Sequence, residues 1–80
     1  MKLQITVIPR AGILDPQGKA IAAALDRLGY AGVHNVRAGK VFRLEIDAEG
    51  PEAARETGAA MAQRLLANPV IEDFEVEVVD

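Results

Sequence analysis

The chain contains no cysteine, no serine and no tryptophan, and its 80 residues hold one histidine, His34, and two threonines, Thr6 and Thr57. Nucleophilic catalysis needs a hydroxyl or thiol beside an oriented base, and neither threonine stands in a pattern that supplies one. A lone histidine without thiol ligands cannot assemble a zinc site, so His34 receives no role. With no cysteine there is no disulfide framework, and no signal peptide opens the chain. No apolar run approaches the roughly 18 residues of a membrane span. The expectation is a cytoplasmic protein with no membrane contact. Aromatics are also scarce: Tyr30, Phe42 and Phe74 are the whole set.

What is present is aliphatic. Half of the residues are hydrophobic, and 80 residues make one domain, 1–80, with a light core. Ordering such a chain costs on the order of 1.5 kcal/mol per residue, which a core of this size barely offsets. Further burial through self-association is therefore expected. Charge divides along the chain. Residues 1–40 carry six Lys/Arg against two Asp, a net of +4, whereas residues 41–80 carry three Arg against ten Asp/Glu, a net of −7. A nucleic-acid surface would need a basic stripe interleaved with aromatics, and the acidic second half argues against it. Unlike halves fit a charge-steered protein partner or a homo-oligomer.

Residues 2–10 alternate Leu3, Ile5 and Val7 with Lys2, Gln4, Thr6 and Arg10, the period of a half-buried strand that Pro9 ends or whose end it places at a sheet edge. Asp15 is suited to cap a helix, and Pro16 at its first position gives up a donor that would have had no partner. From Pro16 to Leu28, Ile21, Leu25 and Leu28 recur at helical spacing, and Gly29 follows as a left-handed stop. Residues 33–38 and 41–47 read as two strands of a hairpin with a tight turn at Gly39-Lys40, Gly39 supplying positive φ. Phe42, Leu44 and Ile46 echo the alternation of the first strand. Gly50-Pro51 opens a second helix with Ala54, Gly58, Met61 and Leu65 as its buried stripe. Asn68 suits the left-handed position after that helix and Pro69 prevents its continuation. A final strand, about 72–79, turns Phe74, Val76 and Val78 inward and Asp73, Glu75 and Glu77 outward.

The order is βαββαβ, so the fold class is α+β: a ferredoxin-like two-layer sandwich with an antiparallel sheet and two helices on one face. The other face, with Ile8 and Val79, and the sheet edges are open to extension between protomers. An ACT-like module that senses small molecules at a dimer interface fits the same fold and is the alternative. An RNA-recognition domain would need aromatics on the central strands, where only Phe42 is available.

Four pieces stand in register: Leu14-Asp15-Pro16-Gln17-Gly18, the Gly29-Tyr30 helix end, Val36-Arg37-Ala38-Gly39-Lys40, and Leu65-Leu66-Ala67-Asn68-Pro69-Val70-Ile71-Glu72-Asp73. Together they resemble the PurS family, small subunits of bacterial and archaeal phosphoribosylformylglycinamidine synthase. The resemblance implies a non-catalytic role in purine synthesis, at the step that takes formylglycinamide ribonucleotide, glutamine and ATP to formylglycinamidine ribonucleotide, glutamate, ADP and phosphate. It implies that this chain binds no cofactor, ATP and magnesium being used by the synthetase partner. Its implied partners are a glutaminase subunit, PurQ, which releases ammonia, and a synthetase subunit, PurL, with this chain bridging them as a homodimer or dimer of dimers. Asp15, Pro16 and Gln17 serve as cap and packing or also as a partner contact at an exposed helix start, and Gln17 and Gly18 add little that capping demands. Arg37 and Lys40, flanking the expected hairpin tip, are either interface residues or a solvated turn. Asn68 and Pro69 read as structural.

Overall fold

The central strand is β1, Lys2–Pro9, and its alternation does what the sequence asks: Leu3, Ile5 and Val7 are fully buried. Removing each of those side chains from water stabilises the fold by about 1.5–3 kcal/mol. The structure is a computed structural model that describes residues 1–12 and 15–79; Leu14, which opens the first motif run, and Asp80 lie outside them. β1 pairs antiparallel on both sides, with β2, Lys40–Glu45, and with β3, Glu72–Val78, in the order β2-β1-β3. The register sets Leu3 opposite Leu44 and Val78, and Ile5 opposite Phe42 and Val76. The two echoing triplets of the sequence thus lie side by side on one sheet face. The N-terminal amine closes the β1–β2 ladder by donating to the Ile46 carbonyl at 2.9 Å.

Two helices complete the chain: α1, Pro16–Arg27, and α2, Pro51–Met61. The class is α+β of the ferredoxin-like type, but the expected second strand is missing among the described residues. Residues 33–38 form no hairpin with β2. Asn35 and Gly32 hold positive φ, 57° and 84°, which breaks an extended run before it can pair. Gly39 has no positive φ; it continues the chain flat against β1, where an added Cβ would stand 2.5 Å from the Val7 carbonyl oxygen. The glycine is needed for close approach and not for a turn, so Arg37 and Lys40 flank no hairpin tip.

α2 covers β1 and β3. Ala54 and Gly58 are buried, and a Cβ on Gly58 would meet the Val76 and Leu3 methyls at 2.9 and 3.0 Å. The stripe then departs from helical spacing, because a π-helical turn, Ala62–Leu66, follows, with the Ala67 N–H donating to the Ala62 carbonyl at 2.8 Å. One extra residue in the turn faces Ala62 and Ala67 inward and leaves Leu65, expected in the core, 83% exposed. Ala67 leaves the helix in extended backbone, so Asn68 takes no left-handed position. Its side chain instead accepts from the Val70 N–H at 3.1 Å, closing an Asx turn.

α1 departs furthest from expectation. It has a sound start at Asp15 and a Schellman end: the Tyr30 N–H donates to Leu25 and the Gly29 N–H to Asp26, with Gly29 at φ 98° as expected. Yet it does not lie on the sheet beside α2 and makes no extensive contact with any strand. The described chain measures 50 × 26 × 14 Å with a radius of gyration of 15.7 Å. A globular chain of this length has about 12 Å. One helix packs on the sheet and the other stands off it.

Candidate functional site

The motif runs converge at the end of the molecule where β1 stops and α1 begins. Asp15 anchors it with both carboxylate oxygens: Oδ1 accepts from the Gly18 N–H at 3.1 Å and Oδ2 from the Ala38 N–H at 2.8 Å. The first contact is the expected cap. The second ties the helix start to a segment more than twenty residues away, a constraint that capping does not require. These amide donors, Ala38 first and Gly18 next, hold the Asp15 carboxyl below its ordinary value of 3.8, because they stabilise the ionised form.

Gly18 explains the fourth position of the Asp-Pro-Gln-Gly tetrad. It is buried, and a Cβ there would collide with the Val36 carbonyl, so residues 36–38 can cross the first turn of α1 only over a glycine. Pro16 sits at the first helical position and Gln17 beside it is exposed. Arg37 runs the other way, its guanidinium donating to the Pro9 carbonyl at 3.1 Å. Lys40 opens β2 opposite Val7, its ammonium 5.9 Å from the centre of the Phe42 ring.

Arg10, expected only as an outward-facing residue at the end of the first strand, extends the cluster to the Asn68-Pro69 turn. It donates to the Pro69 carbonyl at 2.6 Å, pairs with Asp73 at 3.2 Å, and its N–H reaches the Ile71 carbonyl. Glu72 closes that turn by accepting the Asn68 N–H at 2.7 Å. Its outward place in the alternation of residues 2–10 was the sequence signal for Arg10, and it named no partner. The Gly29-Tyr30 piece does not join the cluster; it caps the far end of α1.

Between α1 and residues 35–37 lies an open cleft of about 740 Å³, lined by Gly12, Asp15, Lys19, Ala22, Asn35 and Arg37 among others. Among the described residues, no group of three or more His, Asp or Glu is placed to hold a metal ion, and no helix is long and apolar enough to cross a membrane. Among the described residues, Asp15 and Arg37 spend their side-chain hydrogen bonds on joining distant segments of backbone. Such a site belongs to a small ferredoxin-like module whose chemistry-bearing side chains build a surface.

The comparisons with known proteins give that module its family. A family model described as "PurS: Phosphoribosylformylglycinamidine (FGAM) synthase" matches residues 2–80. A curated relative from Mycobacterium leprae, phosphoribosylformylglycinamidine synthase subunit PurS, is 52% identical over 73 residues, covering 90% of this chain and 87% of its own. Among solved structures, Bacillus subtilis PurS superposes with a TM-score of 0.85 at 37% identity, covering 99% of this chain and 98% of its own. A chain of PurLQS from Thermotoga maritima reaches 0.86 at 36% identity, covering 98% and 95%. The chain belongs to the PurS family, the small subunits of phosphoribosylformylglycinamidine synthase.

Proposed function

We propose that this chain is the non-catalytic small subunit of phosphoribosylformylglycinamidine synthase, acting in the cytoplasm to hold a PurQ-type glutaminase against a PurL-type synthetase. The observation that carries the reading is its similarity, over nearly its whole length, to a chain of the PurLQS assembly. The residue inventory supports it, since a chain without serine or cysteine suits a scaffold better than a reaction centre. The synthetase partner uses ATP and magnesium to activate the substrate amide, and the glutaminase releases ammonia from glutamine. Bridging keeps the two sites aligned so that ammonia passes between them without escaping to water. The cluster joining Asp15, Gly18, Arg37 and Pro69 gives the bridge a rigid end, because residues tied by backbone hydrogen bonds present a fixed surface at little ordering cost.

Two rates test this: product formation from glutamine and from free ammonia, each with and without this chain, at fixed ATP and substrate. Free ammonia reaches the synthetase from solvent, so the chain should raise the glutamine-dependent rate far more than the ammonia-dependent one. Equal stimulation of both would mean that it acts on the synthetase itself. No stimulation of either would overturn the reading.

A further inference from the structure

Among the described residues, Leu65 and Val70 are the most exposed large hydrophobics, at 83% and 76%. Both fall in the stretch 65–71, Leu-Leu-Ala-Asn-Pro-Val-Ile, which holds no charged residue although 26% of the chain is charged. Standing at positions 65 and 70, their Cα atoms lie no more than about 18 Å apart. Both therefore fit within one standard interface, whose ~800 Å² per partner is about 30 Å across.

Two local devices hold these side chains out. At helical spacing Leu65 would follow Met61 inward, but the π-helical turn Ala62–Leu66 gives that place to Ala62 and Ala67 and turns Leu65 to the surface. A π-turn is rare and recurs at functional sites. Val70 stands on a turn whose backbone is satisfied from within. Its own N–H donates to Asn68 Oδ1, and the Ile71 and Glu72 N–H groups donate to the Asn68 carbonyl at 3.1 and 2.8 Å. Arg10 donates to the Pro69 and Ile71 carbonyls, and the Glu72 carboxylate accepts the Asn68 N–H. Pro69 has no N–H and a fixed φ. The turn can leave water without orphaning these groups, and being ordered already it adds little entropy cost to association.

Charge indicates what covers it. Glu72 folds back onto Asn68 and Asp73 onto Arg10, whereas exposed Arg64, beside Leu65, has no ion-pair partner among the described residues. A two-fold contact of the turn with itself would set Arg64 against Arg64. We infer that the turn 65–71 docks into a recess on a large subunit of the synthase, with an apolar floor that takes Leu65 and Val70 and an acidic rim that takes Arg64. Arg10 is a positioning residue that holds the turn in its docking shape. The inference rests on the proposed bridging role and names the surface that performs one of its contacts.

The test reconstitutes the full chain with the PurL-type and PurQ-type subunits. Leu65→Asp and Val70→Asp each set a carboxylate against the acidic rim and should weaken joining of the assembly about tenfold or more. The melting temperature and the sedimentation of the chain alone should stay unchanged. If Val70→Asp melts lower, Val70→Ser replaces it. Arg64→Glu should weaken assembly less, and its deficit should shrink as salt is raised. The absence of native cysteine allows a single photo-cross-linker at Val70→Cys, expected to attach to a large subunit at apolar residues flanked by Asp or Glu. Assembly unaffected by both Asp variants overturns the inference. So does a cross-link only to another copy of this chain, or to a surface without acidic neighbours. A wild-type chain that passes the two-rate comparison while the variants match it sinks the inference alone; a wild-type chain that fails that comparison sinks the bridging role and the inference with it.

Discussion

α1 and α2 are both short helices opened by proline and brought close to other backbone by a glycine, yet they pack on different things. Gly58 of α2 faces side-chain ends, the methyls of Val76, Leu3 and Ile5. Gly18 of α1 faces the peptide carbonyl of Val36. The first arrangement is a hydrophobic layer on a sheet, held by burial, whereas the second is a helix end fastened by polar contacts whose apolar stripe its own sheet does not cover. An amphipathic helix is therefore a demand for cover and does not say whose surface meets it.

The largest expected effect sets the sheet core against the arm. Ile5→Ala should lower stability by about 2–5 kcal/mol, the range for truncating a fully buried aliphatic. Ile21→Ala, measured at a concentration where the chain is dissociated, should stay within about 0.5 kcal/mol. Comparable losses by denaturant titration would mean that α1 packs on its own sheet. The two glycines come next. Gly18→Ala forces a methyl into a carbonyl that cannot swing aside, an overpacking cost of about 1–3 kcal/mol. Gly58→Ala meets movable methyls and gains up to about 1 kcal/mol of helix propensity, so its net change should be small. A thermal-melting difference of the opposite sign would break the comparison.

Asp15 sharpens it further. Its pKa is lowered in the folded chain, so its contribution is fully present above the unfolded value and fades as pH falls through the folded value, below 3.8. Asp15→Asn should remove that part of the pH dependence while retaining an oxygen for the Gly18 N–H. An unchanged acid profile would show that the Ala38 contact is not made in solution. Smallest is Arg10→Ala. Its ion pair with Asp73 is largely exposed, so the loss should be at most about 1 kcal/mol. Faster amide exchange at Ile71 and Glu72 would report the loosened turn more sensitively than a melting curve.

Period and punctuation carried most of the fold. The alternation of Leu3, Ile5 and Val7, the Asp15-Pro16 start, the Gly29 stop and the outward acids of β3 follow from local stereochemistry that each residue imposes on its own stretch. The misread positions share a cause. Gly39 looks identical in a turn and in a close approach, and only the Val7 carbonyl distinguishes them. Leu65 and Asn68 were placed by a regular 3.6 spacing that a single π-turn shifts. In the candidate site, Asp15 and Pro16 were visible as a helix start and Gly18 had no evident task, because the partners that matter, Ala38 for Asp15 and Val36 for Gly18, come from another part of the chain. Arg10 carried no motif at all.

The sequence by itself determined three strands, two helix starts, which of their faces are apolar, and the family to which the chain belongs, because these depend on the pattern of residues along the chain; the strand it also suggested at 33–38 did not form. Only the tertiary structure decided that residues 36–38 cross α1 instead of pairing with β2, and that α1 thereby stands clear of the sheet. Those outcomes turn on one carboxylate choosing a distant amide and one missing Cβ admitting a carbonyl, choices that exist only once the segments meet in space.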